Sequence, residues 1–262
     1  MKGRAGWWLP WLRWGTVALL VALLALDQWF PPQLPRSRDT STLVTARDGT
    51  PLRAFADADG VWRYPADADS VSPLYLQALL AYEDRWFWRH PGINPFALVR
   101  ATWQWGTGGG IVSGGSTLTM QVVRILDTGH GRSTRSVHGK FVQMLRALQL
   151  EAHLSKREIL ALYLERAPFG GTIEGVEAAS WAYLGKPAAR LSQAEAALLA
   201  VLPQAPSRLR PDRSPDAART ARDKVLDRMA TLGVWSRRDV DDGRIPVVGS
   251  RALGAPLAGG RV

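Results

Sequence analysis

The sequence predicts a mainly helical domain with a minor β element, preceded by one transmembrane helix. Capping-box patterns at Ser155–Glu158 and Ser192–Glu195 each precede an apolar run, which is how helices begin. Strand-like segments are confined to a short stretch around Asp48-Gly49. An apolar run from Gly15 to Leu26 follows a basic N-terminus. These observations predict the order anchor, strands, helices.

The anchor is predicted over residues 14–30. Lys2, Arg4 and Arg13 precede the apolar run, and tryptophans stand at both of its margins, as in the aromatic belts of spanning helices. A helix of this length covers about 25 Å, slightly less than a hydrocarbon core of about 30 Å. A cleaved signal peptide is the alternative, but no small-residue cleavage site precedes residues 27–32. We therefore expect a single-pass protein of the cytoplasmic (inner) membrane, with its catalytic domain on the periplasmic, extracytoplasmic side.

The remaining chain divides by composition and periodicity. Val44–Arg47 and Leu52–Phe55 flank a turn signal and predict a hairpin. A helix is expected from Ser72-Pro73 to about Tyr82, and a last amphipathic helix from Ala217 to Leu232. The predicted boundaries are a basic cytoplasmic segment 1–13, the anchor 14–30, a linker 31–42, a catalytic domain 43–232 and a partly disordered tail 233–262.

A helix between residues 141 and 152 is predicted to be amphipathic. Phe141, Leu145, Leu148 and Ala152 follow helical spacing and are expected to be buried. The opposite face, which is then offered to a ligand, is made of Lys140, Gln143, Ala147 and Glu151.

Composition limits the chemistry. The chain has 262 residues, 46% of them hydrophobic, which suffices for one substantial core. The absence of cysteine excludes disulfides, zinc-thiolate sites, iron–sulfur clusters and thiol nucleophiles. A net charge of +10 predicts an anionic partner. Nucleic acid is not expected, because the domain is predicted to be external and no helix-turn-helix, zinc or ribonucleoprotein signature occurs.

Two carboxylates, Glu83 and Asp84, stand at the predicted end of a helix and precede the aromatic and basic stretch 85–92. A carboxylate among aromatic side chains suits a general base. The alternative is a surface ion network with Arg85 and Arg89.

A glycine-rich segment, 114–121, runs into a hydroxyl-rich helix start, with Arg124 further along. Exposed N–H groups, hydroxyls and an arginine can cradle phosphate oxygens, although the segment is neither a P-loop nor a nucleophile elbow. An ordinary loop that caps a helix is the alternative. Basic residues recur at Arg100, Arg132, Arg135 and Lys140, where a solvated helix face is the alternative to anion binding.

Taken in order, these segments resemble the motifs of the glycosyltransferase family shared by monofunctional peptidoglycan transglycosylases and class A penicillin-binding proteins. The motif Glu-Asp-x-x-Phe-x-x-His-x-Gly is matched at residues 83–92, and Gly-Gly-Ser-Thr-Ile-Thr-Gln-Gln at 114–121 with Leu118 and Met120 substituted. Segments 155–164 and 169–170 are similar to its later motifs, and segments 146–151 and 200–211 to the 1C type of penicillin-binding protein. Ser-x-x-Lys and Lys-Thr-Gly do not occur, so we expect no transpeptidase chemistry from these residues.

The resemblance implies a lysozyme-like fold and the polymerisation of lipid II into β-1,4-linked glycan strands with release of undecaprenyl pyrophosphate. It implies Glu83 as the base, with a second catalytic position at Gln143. The implied substrate-binding residues are Asp84, Arg100, Ser116, Gln121, Arg124, Arg132, Arg135 and Lys140. The implied partners are lipid II, the nascent glycan strand, the membrane, and transpeptidases or other cell-wall proteins.

Two departures from the family pattern stand out. Gln143 occupies the place of the second acidic residue, so dependence on Mg²⁺ or Mn²⁺ is expected to be weakened. Glu165 replaces an asparagine after Tyr163-Leu164. Two alternatives therefore stay open: a catalytically weak module that binds lipid II, and a lysozyme-like enzyme that cleaves glycan.

Overall fold

A computed structural model describes residues 8–32, 34–35, 41–45, 47, 51–96, 115–127 and 136–244. Within these ranges the chain is mainly helical with two small sheets, as predicted. The helices are α1 Trp8–Trp29, α2 Pro73–Glu83, α3 Leu118–Leu126, α4 Val137–His153, α5 Lys156–Arg166, α6 Val176–Leu184, α7 Gln193–Val201, α8 Pro215–Thr231 and α9 Arg237–Arg244. Short 3-10 helices lie at Phe87–Arg89, Ala188–Arg190 and Leu202–Gln204.

The strands are short and fall into two sheets. β1 (Thr42–Thr45) and β2 (Pro51–Phe55) form the predicted antiparallel hairpin, with Thr42 opposite Phe55. β3 (Trp62–Arg63), β4 (Pro168–Gly170) and β5 (Ile173–Glu174) form a second sheet in the order β3-β5-β4. β3 runs parallel to β5, and β4 antiparallel to it.

The helix starts follow the local sequence signals. At α5 the Ser155 hydroxyl accepts from the Glu158 N–H, while the Glu158 carboxylate accepts from the Ser155 N–H at 2.7 Å. At α7 the Glu195 carboxylate accepts from the Ser192 N–H at 2.8 Å. Pro73 occupies the first turn of α2, where its missing N–H costs no hydrogen bond. The predicted helix starts are therefore confirmed.

One continuous core holds these helices together. Its largest fully buried side chains come from α2, α3, α5 and α7 and from the turns between them; they include Tyr75, Leu79, Phe87, Leu118, Met120, Ile159, Leu160, Tyr163, Phe169 and Leu199. Because α2, α3 and α5 share this core, the C-terminal end of α2 is fixed against the N-terminal end of α3.

The predicted buried face of α4 is wrong. Phe141 is 54% exposed, whereas Gln143, Ala147 and Leu150 are buried. The helix turns this face inward because Gln143 finds hydrogen-bond partners there, which lowers the cost of burying its amide. Spacing of apolar residues alone could not reveal those partners.

The predicted transmembrane anchor is not confirmed. Helix α1 covers that segment, but none of the helices in the described ranges has the length and hydropathy needed to cross a membrane. The C-terminal end of α1 lies on α4, where Gln149 donates to Asp27 at 3.0 Å.

The segment predicted as a tail contains a further helix. α9 buries Val240, and Trp235 before it donates from its indole N–H to Gln77 on α2 at 2.9 Å. Residues 245–262 lie outside the described residues.

Candidate functional site

Glu83 lies at the last position of α2 and is half-buried. The Gln121 amide of α3 donates to its Oε2 at 2.8 Å, and the Gln204 amide donates to its Oε1 at 2.7 Å. Each carboxylate oxygen can accept about two hydrogen bonds, so one acceptor position on each oxygen remains after these contacts. The carboxylate is thus oriented by neutral donors and can still accept a proton from a bound hydroxyl.

A lysine of α4, Lys140, lies near the N-terminal end of α3. The Lys140 ammonium donates to the Ser116 hydroxyl at 2.5 Å and to the Gln143 amide oxygen at 3.1 Å. The Gln143 amide N–H donates in turn to the Met120 carbonyl at 2.6 Å. We call the group formed by Glu83, Gln121, Ser116, Lys140 and Gln143 the polar site.

The charge of Lys140 depends on its surroundings. Burial, and then the positive charge of Arg124, lower the pKa of Lys140 below the ordinary value for lysine. Arg124 is exposed on α3, so two cations act on one end of the polar site. Such a pair suits a dianionic ligand such as a phosphate better than a single hydroxyl.

Asp84 has a different environment although it follows Glu83 directly. It is 6% exposed, and His90 Nε2 lies 3.0 Å from each of its two oxygens. Its Oδ2 also accepts from the Leu118 N–H at 2.8 Å, at the first position of α3. The structure therefore places Asp84 among structural contacts and not among the groups open to a substrate.

Two further contacts complete this structural cluster. The Thr117 hydroxyl donates to the Gly92 carbonyl at 2.5 Å and accepts from the Met120 N–H, which caps α3. Gly92 has φ +85°, and a Cβ there would lie 2.8 Å from the Ala147 carbonyl of α4. We call Asp84, His90, Gly92 and Thr117 the clasp, because they join α2, α3 and α4.

A second link ties the same motif to α5. Glu151 on α4 accepts from the Thr119 hydroxyl and from the Lys156 ammonium, both at 2.6 Å. The Lys156 ammonium also lies 4.5 Å from the centre of the Phe87 ring. These contacts fix the positions of α3, α4 and α5 relative to one another near the polar site.

A divalent cation does not fit the described side chains in this arrangement. In the described ranges, no group of three or more acidic or histidine side chains could hold a metal ion. The Gln143 oxygen accepts from the Lys140 ammonium, which would repel a cation there.

The polar site brings together five of the residues predicted from sequence, and Arg124 lies beside it. Arg100, Arg132 and Arg135 lie outside the described residues. Sequence reasoning missed Gln204, which contacts Glu83 directly. Its only sequence signal was its place between Pro203 and Pro206, which predicts a rigid turn but no particular contact.

Comparisons with known proteins agree with the motifs. The model of the family described as Transglycosylase matches residues 48–230, which is well over half of the chain. The chain belongs to the transglycosylase family. It is 59% identical over 235 residues to penicillin-binding protein 1C of Escherichia coli (strain K12), covering 88% of this chain and 30% of that protein. It is 36% identical over 208 residues to penicillin-binding protein 1A of Aquifex aeolicus (strain VF5), covering 79% of this chain and 27% of that protein.

Among solved structures, penicillin-binding protein 1A from Haemophilus influenzae superposes with a TM-score of 0.46 at 20% identity, over 82% of this chain and 22% of that one. The chain thus spans about a third or less of the length of the relatives it matches.

Proposed function

We propose that this chain is a peptidoglycan glycosyltransferase that polymerises lipid II into β-1,4-linked glycan strands. The observation that carries the proposal is that a half-buried carboxylate, Glu83, and an ammonium, Lys140, are both held at the N-terminal end of α3, Glu83 by Gln121 in the first turn and Lys140 by Ser116 just before the helix. Membership of the transglycosylase family supports the same reaction. The lysozyme-like character of the fold is part of this proposal.

The proposed reaction is a single displacement with inversion. A hydroxyl of the acceptor sugar attacks the anomeric carbon of the donor, so that a new C–O bond forms as the bond to the pyrophosphate oxygen breaks. The hydroxyl proton passes to Glu83, which has acceptor positions free for it. Undecaprenyl pyrophosphate leaves with the electron pair.

Lys140 and Arg124 stabilise the negative charge that develops on the departing pyrophosphate. Among the described residues, Ser116 and Gln143 take two of the three ammonium hydrogens of Lys140, so the third can donate to a phosphate oxygen. A cation held in place before the reaction stabilises such charge more strongly than water does.

We further propose that the chain works at the cytoplasmic membrane with its catalytic domain on the extracytoplasmic side, where its lipid-linked substrate is displayed. Support comes from α1, whose Trp14, Leu24 and Trp29 are 70%, 66% and 78% exposed. Co-flotation of the chain with phospholipid vesicles tests this contact. If the double substitution Leu20→Ser and Leu24→Ser left flotation unchanged, that result would argue against membrane contact through α1.

The decisive assay of function uses purified chain, detergent and fluorescent lipid II. We expect glycan polymer that a muramidase digests, together with one undecaprenyl pyrophosphate per bond formed. Because Gln143 stands where the family has an acid, a module that binds lipid II without turnover is the second candidate. Bound but unconsumed lipid II would favour that module, and digestion of preformed peptidoglycan would show a glycan-cleaving enzyme instead.

A further inference from the structure

Gln204 combines an exposed side chain with a firmly held backbone. It ends the 3-10 helix Leu202–Gln204, whose Leu202 and Pro203 are buried in the core. The Ala205 N–H donates to the Leu202 carbonyl, and the Leu209 N–H donates to the Ala205 carbonyl at 2.9 Å. The side chain therefore projects from a rigid turn, which lowers the entropy lost when its amide is held in one place.

The same turn is braced from the other side by β4. Gly170 has φ +112°, and a Cβ on it would lie 2.9 Å from the Pro206 carbonyl and 2.7 Å from the Arg210 side chain. Such a close approach is open only to glycine. The position of Gln204 is thus fixed by the packing of β4 as well as by the core.

The amide of Gln204 uses this position to hold one oxygen of Glu83, at 2.7 Å, while Gln121 holds the other. We propose that Gln204 is a positioning residue for the glycosyl transfer, which fixes the orientation of the Glu83 carboxylate and favours its ionised form. This inference rests on the proposed function. Gln204 acts through Glu83 and needs no contact with the substrate.

Several other titratable groups surround Glu83. Lys140 of the polar site loses its charge only as pH rises, so it does not produce an acidic limb. Burial, and then the charge of Glu83, raise the pKa of Tyr75 and of Tyr82, both on α2. The Gln204 side chain also hydrogen-bonds Tyr82, and this bond and the charge of Arg228 lower the Tyr82 pKa in turn. Burial, and then Tyr75 and Glu83, raise the pKa of Tyr163 on α5, against the charge of Arg124 on α3. These phenols stay neutral near pH 7. A shift in the titration of Glu83 therefore reports on the group at position 204.

A charge series at this position tests the inference. The acidic limb of kcat/KM is expected at the lowest pH for Gln204→Lys, followed by wild type, Gln204→Ala and Gln204→Glu. A nearby cation favours the carboxylate, whereas loss of the donor or a second anion disfavours it. We expect an upward shift of about one pH unit for Gln204→Ala and more for Gln204→Glu. KM for lipid II should change less than about twofold, because the substitution acts on the base.

The matched control is Gln77→Ala, also an exposed glutamine, whose amide oxygen accepts from the Trp235 indole and which does not touch Glu83. Its limb should coincide with that of wild type. The positioning role would be overturned if all Gln204 variants showed the acidic limb of wild type. It would also be overturned if the variants raised KM for lipid II without moving the limb.

Failure of the proposed function is distinguishable, because the Glu83 carboxyl can be titrated by ¹³C NMR in the full chain without turnover. Titration midpoints that rise in the order Gln204→Lys, wild type, Gln204→Ala and Gln204→Glu support the contact, whether or not wild type forms polymer. Absence of polymer from wild type would contradict the polymerase proposal alone. Equal midpoints overturn the contact whatever the activity.

Discussion

The polar site and the clasp share the sequence motifs at residues 83–92 and 114–121, to which the polar site adds Lys140 and Gln143 of α4, yet Glu83 and Asp84 differ in partners and exposure. In the polar site, Glu83 and Lys140 are half-buried and are held by side-chain amides and a hydroxyl. In the clasp, Asp84 is buried and is held by an imidazole and a main-chain N–H. The adjacent carboxylates Glu83 and Asp84 thus serve different purposes.

The difference separates groups that can meet a substrate from groups that hold the helices that carry them. A buried carboxylate with an imidazole and a helix N-terminus is satisfied by the protein alone. Glu83 keeps acceptor positions that only a ligand or water can fill. Substitution of Glu83 or Lys140 should therefore reduce turnover at nearly constant stability, whereas substitutions in the clasp should lower stability.

After Glu83→Gln, the largest effect in this comparison is expected for Lys140→Ala. Loss of the cation that faces the leaving pyrophosphate should reduce kcat/KM by about 10²-fold or more, with little change in the unfolding midpoint. Kinetics with fluorescent lipid II measure the effect. Lys186→Ala, which removes a lysine paired with Glu195 away from the site, is the control and should retain activity.

The pH dependence of this lysine gives a second measurement. Because the pKa of Lys140 is lowered, its charge is lost as pH rises at a lower pH than for an ordinary lysine, and activity should fall with it. Lys140→Arg should remove that alkaline limb, since guanidinium stays charged. Arg124→Gln should move the limb to higher pH by removing the neighbouring cation. If neither substitution moved the alkaline limb of activity, Lys140 would not be the group whose charge the reaction needs.

A stability effect is expected next, in the clasp. Asp84→Asn breaks the buried pair with His90 and weakens the contact with the Leu118 N–H, so the free energy of unfolding should fall by about 3 kcal/mol. Chemical denaturation measures it. Asp216→Asn, which breaks an exposed pair with Arg219, should cost about 0.5 kcal/mol or less. Equal losses in the free energy of unfolding for the two variants would contradict a special contribution of the clasp to stability.

The smallest effect is expected for Gln143→Glu. The new carboxylate cannot donate to the Met120 carbonyl, but it gains an ion pair with Lys140, so the net loss of stability should be about 1 kcal/mol. Activity should persist and should depend more on Mg²⁺ or Mn²⁺ than in wild type. Gln77→Glu on α2, outside the polar site, is the control and should show no metal response. A complete loss of turnover in Gln143→Glu would mean that the amide has a role that glutamate cannot fill.

The sequence predicted local structure well where the signal was local. The hairpin β1–β2, the start of α2 at Pro73 and the capping of α5 by Ser155 all depend on neighbouring residues, and all are confirmed. The placement of Glu83 at a helix end was predicted in the same way.

Features that depend on distant partners were not predictable. The inward face of α4 is set by Gln143, which is stabilised by Met120 some twenty residues away. The contact of Gln204 with Glu83 joins residues more than a hundred positions apart, and no local pattern announces it.

Glu83 is the proposed base, and the amides of Gln121 and Gln204 orient its carboxylate. The most direct test compares polymerisation of fluorescent lipid II by wild type and by Glu83→Gln, with lipid II binding and circular dichroism measured on the same samples. Turnover in Glu83→Gln is expected to fall by about 10³-fold, because the amide cannot accept the proton. Binding and fold should be retained, because the side-chain volume is nearly unchanged. Turnover at the wild-type rate in a folded Glu83→Gln variant would contradict the role of Glu83 as the base.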